Sequence, residues 1–231
     1  MMSSQYDQRS LIEALDTGAD DVIGKPPLAE ELYARLRAAE RILSMQRELL
    51  RLAITDPLTG LCNRRGFFEH ATEACARVAP PDGSLSAIIL DIDNFKLIND
   101  SYGHEIGDQA IRTCANAARL DEAVTGRLGG DEFALLLERK PLPQAVEIAE
   151  DLRLRLAARP FNTGKDRITL TWSVGVGEGR PGDTVDQILA RADAALYDAK
   201  LGGRNRVVAS DAGLLTRSAV VTASHARASA L

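Results

Sequence analysis

Cysteine is scarce in this chain: three occur among 231 residues, at Cys62, Cys75 and Cys114. Their number is odd, and their spacing relative to the three histidines matches no zinc-binding pattern. A disulfide scaffold and a zinc site are therefore excluded. Scattered, reduced thiols are typical of cytoplasmic proteins, and we expect that location.

Long hydrophobic runs and an excess of basic residues are also missing. No apolar segment approaches the roughly 18 residues of a membrane-spanning helix, and no signal peptide opens the chain, so we expect no membrane partner. The net charge of −5 argues against a nucleic-acid partner, because such proteins present a basic face to phosphates. Carboxylates can still hold Mg²⁺, and the metal can bind the phosphates of a small nucleotide.

Aromatic residues make up only 4% of the chain. Hydrophobic residues at 45% and charged residues at 26% are nevertheless typical of a soluble globular protein. The length predicts one full domain plus a substantial additional segment.

Residues 28–54 are predicted to form a helical stalk, because the segment contains neither Gly nor Pro up to residue 53. Its apolar positions recur at alternating spacings of four and three residues, the pattern of a coiled-coil seam. The seam positions are Leu32, Leu36, Ala39, Leu43, Gln46, Leu50 and Ala53. Such a helix either packs on its own domain or pairs with a second copy, and we favour the dimeric coiled coil.

Strand and helix patterns alternate between residues 55 and 209. The predicted strands are 85–90, 124–128, 133–137, 168–176 and 207–208, with a hairpin turn at Gly129-Gly130. The predicted helices are 65–78, 107–118, 143–158 and 185–200. A hairpin inside this alternation predicts an α+β fold in which the sheet is part antiparallel and is covered by helices. Residues 210–231 lack large apolar side chains, and we expect a disordered tail.

Two acidic pairs adjoin predicted strands. Asp91 and Asp93 follow a buried apolar run and share one face of it. They either cap a turn or ligate a hard cation. Asp131 and Glu132 follow two glycines, and they either form the solvated tip of a tight hairpin or lie where the glycines let a ligand approach the backbone. If the two strands are neighbours, both pairs converge on one Mg²⁺.

Five further polar residues suit a nucleotide, and four of them also have a structural alternative. Lys96 can meet a phosphate as a point charge. Asn99 and Asp108 suit the edge of a base, or else form a turn and a favourable charge at a helix N-terminus. Lys200 and Arg204 flank a glycine pair after a predicted helix, where cations either interact with the helix dipole or clamp phosphates.

The order of these motifs resembles the GGDEF-domain diguanylate cyclases, over roughly residues 55 to 208. The signature itself is Gly129-Gly130-Asp131-Glu132-Phe133. The other matching segments are 56–61, 63–65, 91–96, 99–100, 103–104, 107–108, 173–175, 192–193, 200 and 203–205. These segments group into six motifs that follow the family's order, and this makes the resemblance highly specific.

The resemblance implies an α+β fold like the polymerase palm and the class III nucleotide cyclases, an α/β sandwich with a central, mainly antiparallel sheet flanked by helices. It also implies the synthesis of cyclic di-GMP and two pyrophosphates from two molecules of GTP. Since one domain holds one GTP, two domains must face each other in a homodimer. The alternative is a catalytically silent GGDEF module that binds GTP or cyclic di-GMP and acts as a signalling receptor.

The resemblance further implies roles for individual residues. Asp91, the Ile92 carbonyl and Asp131 would hold Mg²⁺, with Mn²⁺ as the alternative. Asp131 would also help to deprotonate the attacking 3′-hydroxyl, and Glu132 would support the metal site. The residues implied to contact GTP are Asn99 and Asp108 at guanine, and Lys96, Lys200, Arg204 and the backbone amides of Asn94 and Phe95 at the triphosphate.

One departure from the family concerns product inhibition. Many members carry an inhibitory Arg-x-x-Asp motif that begins nine residues before the first signature glycine. Leu120 and Ala123 occupy those two positions here, and the nearby Arg119 and Asp121 are out of register. We therefore expect the usual primary inhibitory site for cyclic di-GMP to be absent.

Residues 1–27 resemble the closing part of a response-regulator receiver domain. The resemblance is carried by residues 18–23 with Lys25-Pro26, while residues 1–4 match the fourth strand of that fold and Leu28 onward its last helix. The acidic pair and the phosphoacceptor aspartate of a receiver would precede residue 1. We therefore expect a truncated chain or a shortened reading frame that is not phosphorylated in the receiver manner.

Overall fold

The computed structural model describes residues 2–3, 12–13, 15–19, 21–24, 26–78 and 83–210. The tail predicted over 210–231 lies outside the described residues, apart from Ser210. The chain divides into two compact units, Met1–Arg51 and Leu52–Leu231.

In the first unit, strand β1 (Met2–Ser3) pairs in parallel with strand β2 (Ile23–Gly24). Helix α1 follows over Ala29–Ile54, where the sequence pattern predicts a helical stalk over residues 28–54. Glu30 and Glu31 lie in its first turn, where negative charge interacts favourably with the helix dipole. The seam residues Leu36 and Leu43 are exposed, at 55% and 50%.

The second unit is built on a five-stranded sheet of order β4-β5-β3-β8-β9. Its strands are β3 (Leu85–Ile92), β4 (Ala123–Gly129), β5 (Glu132–Glu138), β8 (Trp172–Glu178) and β9 (Val207–Ala209). Neighbouring strands are antiparallel except for β8 and β9, which are parallel. A separate small hairpin joins β6 (Pro160–Asn162) to β7 (Arg167–Thr169). The predicted α+β fold with a mainly antiparallel sheet is confirmed.

Helices cover both faces of this sheet. They are α2 (Arg64–Arg77), α3 (Phe95–Tyr102), α4 (His104–Ala118), α5 (Leu142–Ala157) and α6 (Val185–Leu201). Alternate residues of β3 enter different cores: Ile88 and Leu90 pack with residues of α4 and α5, whereas Ala87 and Ile89 pack with residues of α2 and α6. Burial of both faces explains why β3 is a continuous apolar run rather than an alternating one.

Two elements differ from the sequence-based expectation. The strand predicted over 168–176 is divided, because Arg167–Thr169 pairs with Pro160–Asn162 and the central strand begins at Trp172. Asn99-Asp100, whose structural alternative was a turn, lies inside helix α3, which was not predicted. This eight-residue helix is rich in weak helix formers, and its buried residue Ile98 anchors it to the core.

Candidate active site

The strand ends that carry the two acidic pairs lie side by side, and three of the four acidic residues, Asp91, Asp131 and Glu132, form an acidic site there. Asp91, near the end of β3, lies directly opposite Glu132, the first residue of β5. Asp131 occupies the turn just before Glu132, and its carbonyl accepts a hydrogen bond from the Ile92 amide at 3.3 Å. The condition for a shared site, that the two strands be neighbours, is therefore met.

Lys200 supplies a positive charge to this acidic cluster. Its Nζ lies 2.8 Å from Oδ2 of Asp91. Burial raises the pKa of Asp91, and the hydrogen bond from Lys200 opposes that rise. Burial also raises the pKa of Glu132, with further contributions from Asp193 and Asp91. Burial thus destabilises the ionised form of both carboxyls, and a cation bound beside them would stabilise that form.

The donor set at this end of the sheet fits a hard cation. Asp91 and Asp131 offer carboxylate oxygens and Ile92 a main-chain carbonyl, which are the ligand types of Mg²⁺. Within the described ranges no cluster of three or more His, Cys, Asp or Glu side chains is arranged to hold a metal. Mg²⁺ commonly binds through one or two carboxylates and completes its coordination with substrate phosphates and water, so two carboxylates suffice.

The turn between β4 and β5, which contains Gly130 and Asp131 and is called the signature turn below, is held by Arg127. The sequence pattern did not single out this arginine. Its Nε and Nη2 donate to the Gly130 carbonyl at 2.9 and 2.7 Å. Its Nη1 donates to both carboxylate oxygens of Asp56 at 3.3 and 3.2 Å. Asp56 also accepts from the backbone and side chain of Thr59. The arginine two residues before the glycine pair was a signal that could have been noticed.

The residues predicted to bind the base lie on α3 and α4. Asn99, half-buried on α3, places its side chain against Gly107: a Cβ built on that glycine would lie 1.9 Å from Oδ1 of Asn99. Asp108 follows Gly107 on α4 and is exposed. The structure therefore brings Asn99 close to the backbone beside Asp108.

The remaining predicted residues lie on α3 and in the loop after α6. Asn94 precedes α3 in the left-handed conformation (φ 57°), Phe95 opens that helix, and Lys96 is exposed on it. Arg204 is exposed in the loop and also left-handed (φ 62°). Within the parts of the chain that the structure describes, Lys200 is the one predicted phosphate ligand with an ion pair to the acidic cluster.

Asp93 does not extend the acidic site. It is buried, and its two carboxylate oxygens accept hydrogen bonds from Ser173 and Thr171. The carboxylate of Asp93 is therefore hydrogen-bonded to the hydroxyls of Ser173, in β8, and of Thr171, the residue before β8. Its side chain makes tertiary contacts rather than capping a local turn.

The sequence model of the family described as "Diguanylate cyclase, GGDEF domain" matches residues 53–206, which is more than half of the chain. The chain belongs to the GGDEF diguanylate cyclase family. Its matched residues include every residue of the acidic site and of the two proposed nucleotide-binding regions.

Curated relatives of this GGDEF chain agree with that assignment. Response regulator PleD of Caulobacter vibrioides is 35% identical over 217 residues, covering 87% of this chain and 47% of PleD. A diguanylate cyclase of Vibrio cholerae is 41% identical over 169 residues, covering 71% of this chain and 52% of its own length. The chain thus spans about half the length of these curated relatives.

Solved structures give the same result. The coiled coil and GGDEF domain of DgcB from Caulobacter crescentus, solved in complex with c-di-GMP, matches with a TM-score of 0.70 and 34% identity. The match covers 77% of this chain and 98% of that one. Diguanylate cyclase SiaD from Pseudomonas aeruginosa, solved with its activator SiaC, matches with a TM-score of 0.65 and 35% identity, over 87% of this chain and 76% of that one.

Two further observations bear on partners of the GGDEF domain. None of the helices in the described ranges combines the length and apolar character needed to cross a membrane. At the positions of the family's inhibitory motif, Leu120 packs against the core and Ala123 begins β4, while Arg119 is exposed, 3.5 Å from the Thr59 carbonyl.

Proposed function

We propose that this chain is an active diguanylate cyclase, which condenses two molecules of GTP into cyclic di-GMP and releases two pyrophosphates. The observation that carries the proposal is the meeting of Asp91, Glu132 and Lys200 at the end of β3 and β5. Curated relatives that are named diguanylate cyclases support it.

The substrate is recognised at two places. Asn99 and Asp108 hydrogen-bond the edge of guanine, because an amide can donate and accept while a carboxylate accepts from N–H groups. Lys96, Lys200 and Arg204 neutralise the triphosphate, and the backbone amides of Asn94 and Phe95 donate to it. Lys200 reaches the phosphates from a position where it already contacts Asp91.

Asp91, the Ile92 carbonyl and Asp131 would hold Mg²⁺, with Mn²⁺ as the alternative. When bound, the metal neutralises the charge that develops on the α-phosphate. Glu132 adds negative charge beside these ligands and so supports the metal site. The raised pKa values of Asp91 and Glu132, caused mainly by burial, are what a cation at this place would offset.

The chemical step is an in-line displacement that takes place twice for each product. Asp131 accepts the proton of the attacking 3′-hydroxyl, the new bond forms between that oxygen and the α-phosphorus of the second GTP, and the bond to pyrophosphate breaks. Lys96 and Arg204 stabilise the charge on the leaving pyrophosphate.

One site holds one GTP, so we propose that a homodimer, paired through α1, brings two sites face to face.

Incubation of the protein with GTP and Mg²⁺, followed by chromatographic separation of the products, tests the proposal. Cyclic di-GMP and pyrophosphate are expected from the wild type. Asp131→Ala should abolish turnover with an unchanged circular dichroism spectrum, whereas the matched control Asp186→Ala, exposed at the start of α6, should retain activity. Wild-type protein that binds GTP but forms no product would establish the silent module instead.

We also propose that the usual primary inhibitory site is absent, because Leu120 and Ala123 stand where the family carries Arg and Asp. Activity should therefore persist when cyclic di-GMP is added at submicromolar concentrations. Submicromolar inhibition that disappears in Arg119→Ala would contradict this proposal and assign the inhibition to Arg119.

We propose, finally, that residues 1–27 derive from the end of a receiver domain. The parallel pairing of β1 with β2 and the match to a protein named a response regulator support this origin. Sequencing of the DNA upstream of Met1 tests it, since an origin in a receiver predicts codons for an acidic pair and a phosphoacceptor aspartate there.

A further inference from the structure

Asp93 is the meeting point of three hydrogen bonds that involve distant parts of the chain. Its side chain is buried, with 7% exposed. Oδ1 accepts a hydrogen bond from the Ser173 hydroxyl at 2.6 Å. Oδ2 accepts one from the Thr171 hydroxyl at 2.7 Å and one from the backbone N–H of Asn205 at 3.0 Å. Three donors satisfy much of the hydrogen-bonding capacity of this carboxylate, so burial is tolerated without a cation.

The loop that Asp93 contacts has a strained backbone. Arg204 and Asn205 are consecutive non-glycine residues with positive φ, 62° and 44°. Such conformations are unfavourable for residues with a Cβ and persist only where the surroundings hold them. The backbone N–H of Arg204 donates to the Ala199 carbonyl at 3.1 Å. The backbone N–H of the next residue, Asn205, donates to the Asp93 carboxylate.

Arg153 of α5 holds the same loop from another direction. Its Nη1 donates to Oδ1 of Asn205 at 2.8 Å and to the Asn205 carbonyl at 3.4 Å. The other edge of the guanidinium is engaged by Glu150, with Nε 2.9 Å from Oε2. Only 14% of the Arg153 side chain is exposed. Because Glu150 neutralises this arginine, its contribution to the loop is positional.

We propose that Asp93 and Arg153 are positioning residues that together fix the loop carrying Arg204 in the conformation that grips a triphosphate. The inference rests on the proposed function, because it takes Arg204 as a phosphate ligand. Asp93 lies two residues after Asp91, so its bond to Asn205 ties the phosphate-binding loop to the strand end that carries the proposed metal ligands. Arg153 belongs to none of the motifs by which the sequence resembles its family.

Binding measurements separate this role from a general effect on folding. The probes are a GTP analogue with a methylene group between the α- and β-phosphorus atoms, which cannot release pyrophosphate, and guanosine, which lacks phosphates. By calorimetry, Arg153→Ala should bind the analogue about tenfold more weakly, the loss typical of one charged contact, and should bind guanosine unchanged. The matched control Arg155→Ala, whose partner Asp151 lies on the same helix, should bind both probes as the wild type does.

A double-mutant cycle completes the test. In an Arg204→Ala background, Arg153→Ala should cause no further loss, because the loop then has no guanidinium to present. Asp93→Asn and Asn205→Ala should reproduce the selective loss of analogue binding, and either can replace Arg153→Ala if that variant does not fold. Equal weakening of both probes, or a full additional loss in the Arg204→Ala background, would overturn the inference. Wild-type protein that binds neither probe would instead refute the proposed function on which it rests.

Discussion

Gly107 provides the space that the Asn99 side chain occupies. A Cβ at this position would lie 1.9 Å from Oδ1 of Asn99 and 3.4 Å from Cζ of Phe95. A glycine within a helix costs about 1 kcal/mol of stability relative to alanine, so its presence in α4 is explained by this close approach rather than by helix formation. The clash would be with the end of a flexible side chain, which can move aside.

Gly107→Ala should therefore affect substrate binding more than folding. Under the proposed function, displacement of the Asn99 amide would remove a hydrogen bond to guanine, and we expect KM for GTP to rise about tenfold with little change in kcat. The thermal midpoint should stay near that of the wild type, because alanine favours the helix. Steady-state kinetics and thermal unfolding measure these two effects. Thr113→Ala on the same helix is the control, and an unchanged KM in Gly107→Ala would contradict the role given to Asn99.

The buried carboxyl of Glu132 is expected to make the protein less stable as the pH rises when no cation is bound beside it. Burial raises its pKa in the folded state above the value in the unfolded chain. The unfolded state therefore loses its proton first, and stability falls as the pH rises from the ordinary glutamate value through the raised one. Below both values the carboxyl is neutral in both states, and this penalty is absent.

Glu132→Gln should accordingly unfold at a higher temperature than the wild type near pH 7 in the presence of EDTA. The difference should vanish near pH 3, which is below the ordinary glutamate pKa of about 4.3. Calorimetric scans at both pH values measure this difference in unfolding temperature. The control is Glu147→Gln, a substitution of an exposed residue. The same variant should have lower cyclase activity. An increase in the unfolding temperature that is equal at both pH values would show that ionisation of Glu132 is not the cause.

At the scale of secondary structure, the pair of Arg127 and Asp56 links the signature turn to the start of the second unit. Both side chains are largely buried, at 14% and 17% exposed. Removing one partner of such a pair leaves the other charge without compensation, and this is more costly than removing both. The turn that carries Asp131 is thus held by an arginine outside the acidic site.

Arg127→Met should lower the free energy of unfolding by about 2 kcal/mol and reduce kcat. The double variant Asp56→Asn/Arg127→Met should cost less than the sum of the two single changes, because neither charge is then left alone. Urea unfolding of the four proteins measures the coupling. Arg65→Met, exposed on α2, is the control. Strictly additive costs would indicate that the two side chains do not stabilise each other.

Elements that form by local pattern were predictable, and those that depend on tertiary contacts were not. The strand at Leu85–Ile92 and the helix at Val185–Leu201 follow from an apolar run and from a clear helical period. Helix α3 depends on Ile98 reaching the core, and the break between β7 and β8 depends on pairing with β6. The same distinction holds at the site, where Arg153 meets Asn205 across 52 residues.

At the scale of the whole molecule, α1 presents an apolar seam to solvent. Leu36 and Leu43 are exposed at 55% and 50%, and both lie on the seam of the heptad pattern. A row of exposed leucines along a 26-residue helix is a surface that a second copy of the helix would cover. Dimerisation through α1 stays a prediction, and it makes turnover dependent on protein concentration.

Leu36→Glu/Leu43→Glu should give a monomer that binds the methylene analogue of GTP as the wild type does but forms no cyclic di-GMP. Charges placed in the seam oppose pairing, whereas the residues of the proposed nucleotide site belong to the other unit. Light scattering and product assays measure the two properties. Ala34→Glu/Ser44→Glu adds the same charge away from the seam and should remain dimeric and active. A monomeric wild type with full activity would refute the requirement for a dimer.

The bond between Asp93 and Asn205 also sets an order of events during synthesis. It joins residues 112 positions apart, and Asn205 lies just before the last strand of the sheet. The ribosome adds residues from the N-terminus, so the strand end that carries Asp91 is made long before the loop that would complete the proposed phosphate site. Under the proposed function, a nascent chain would therefore acquire affinity for the triphosphate only after Asn205 has been added and has emerged.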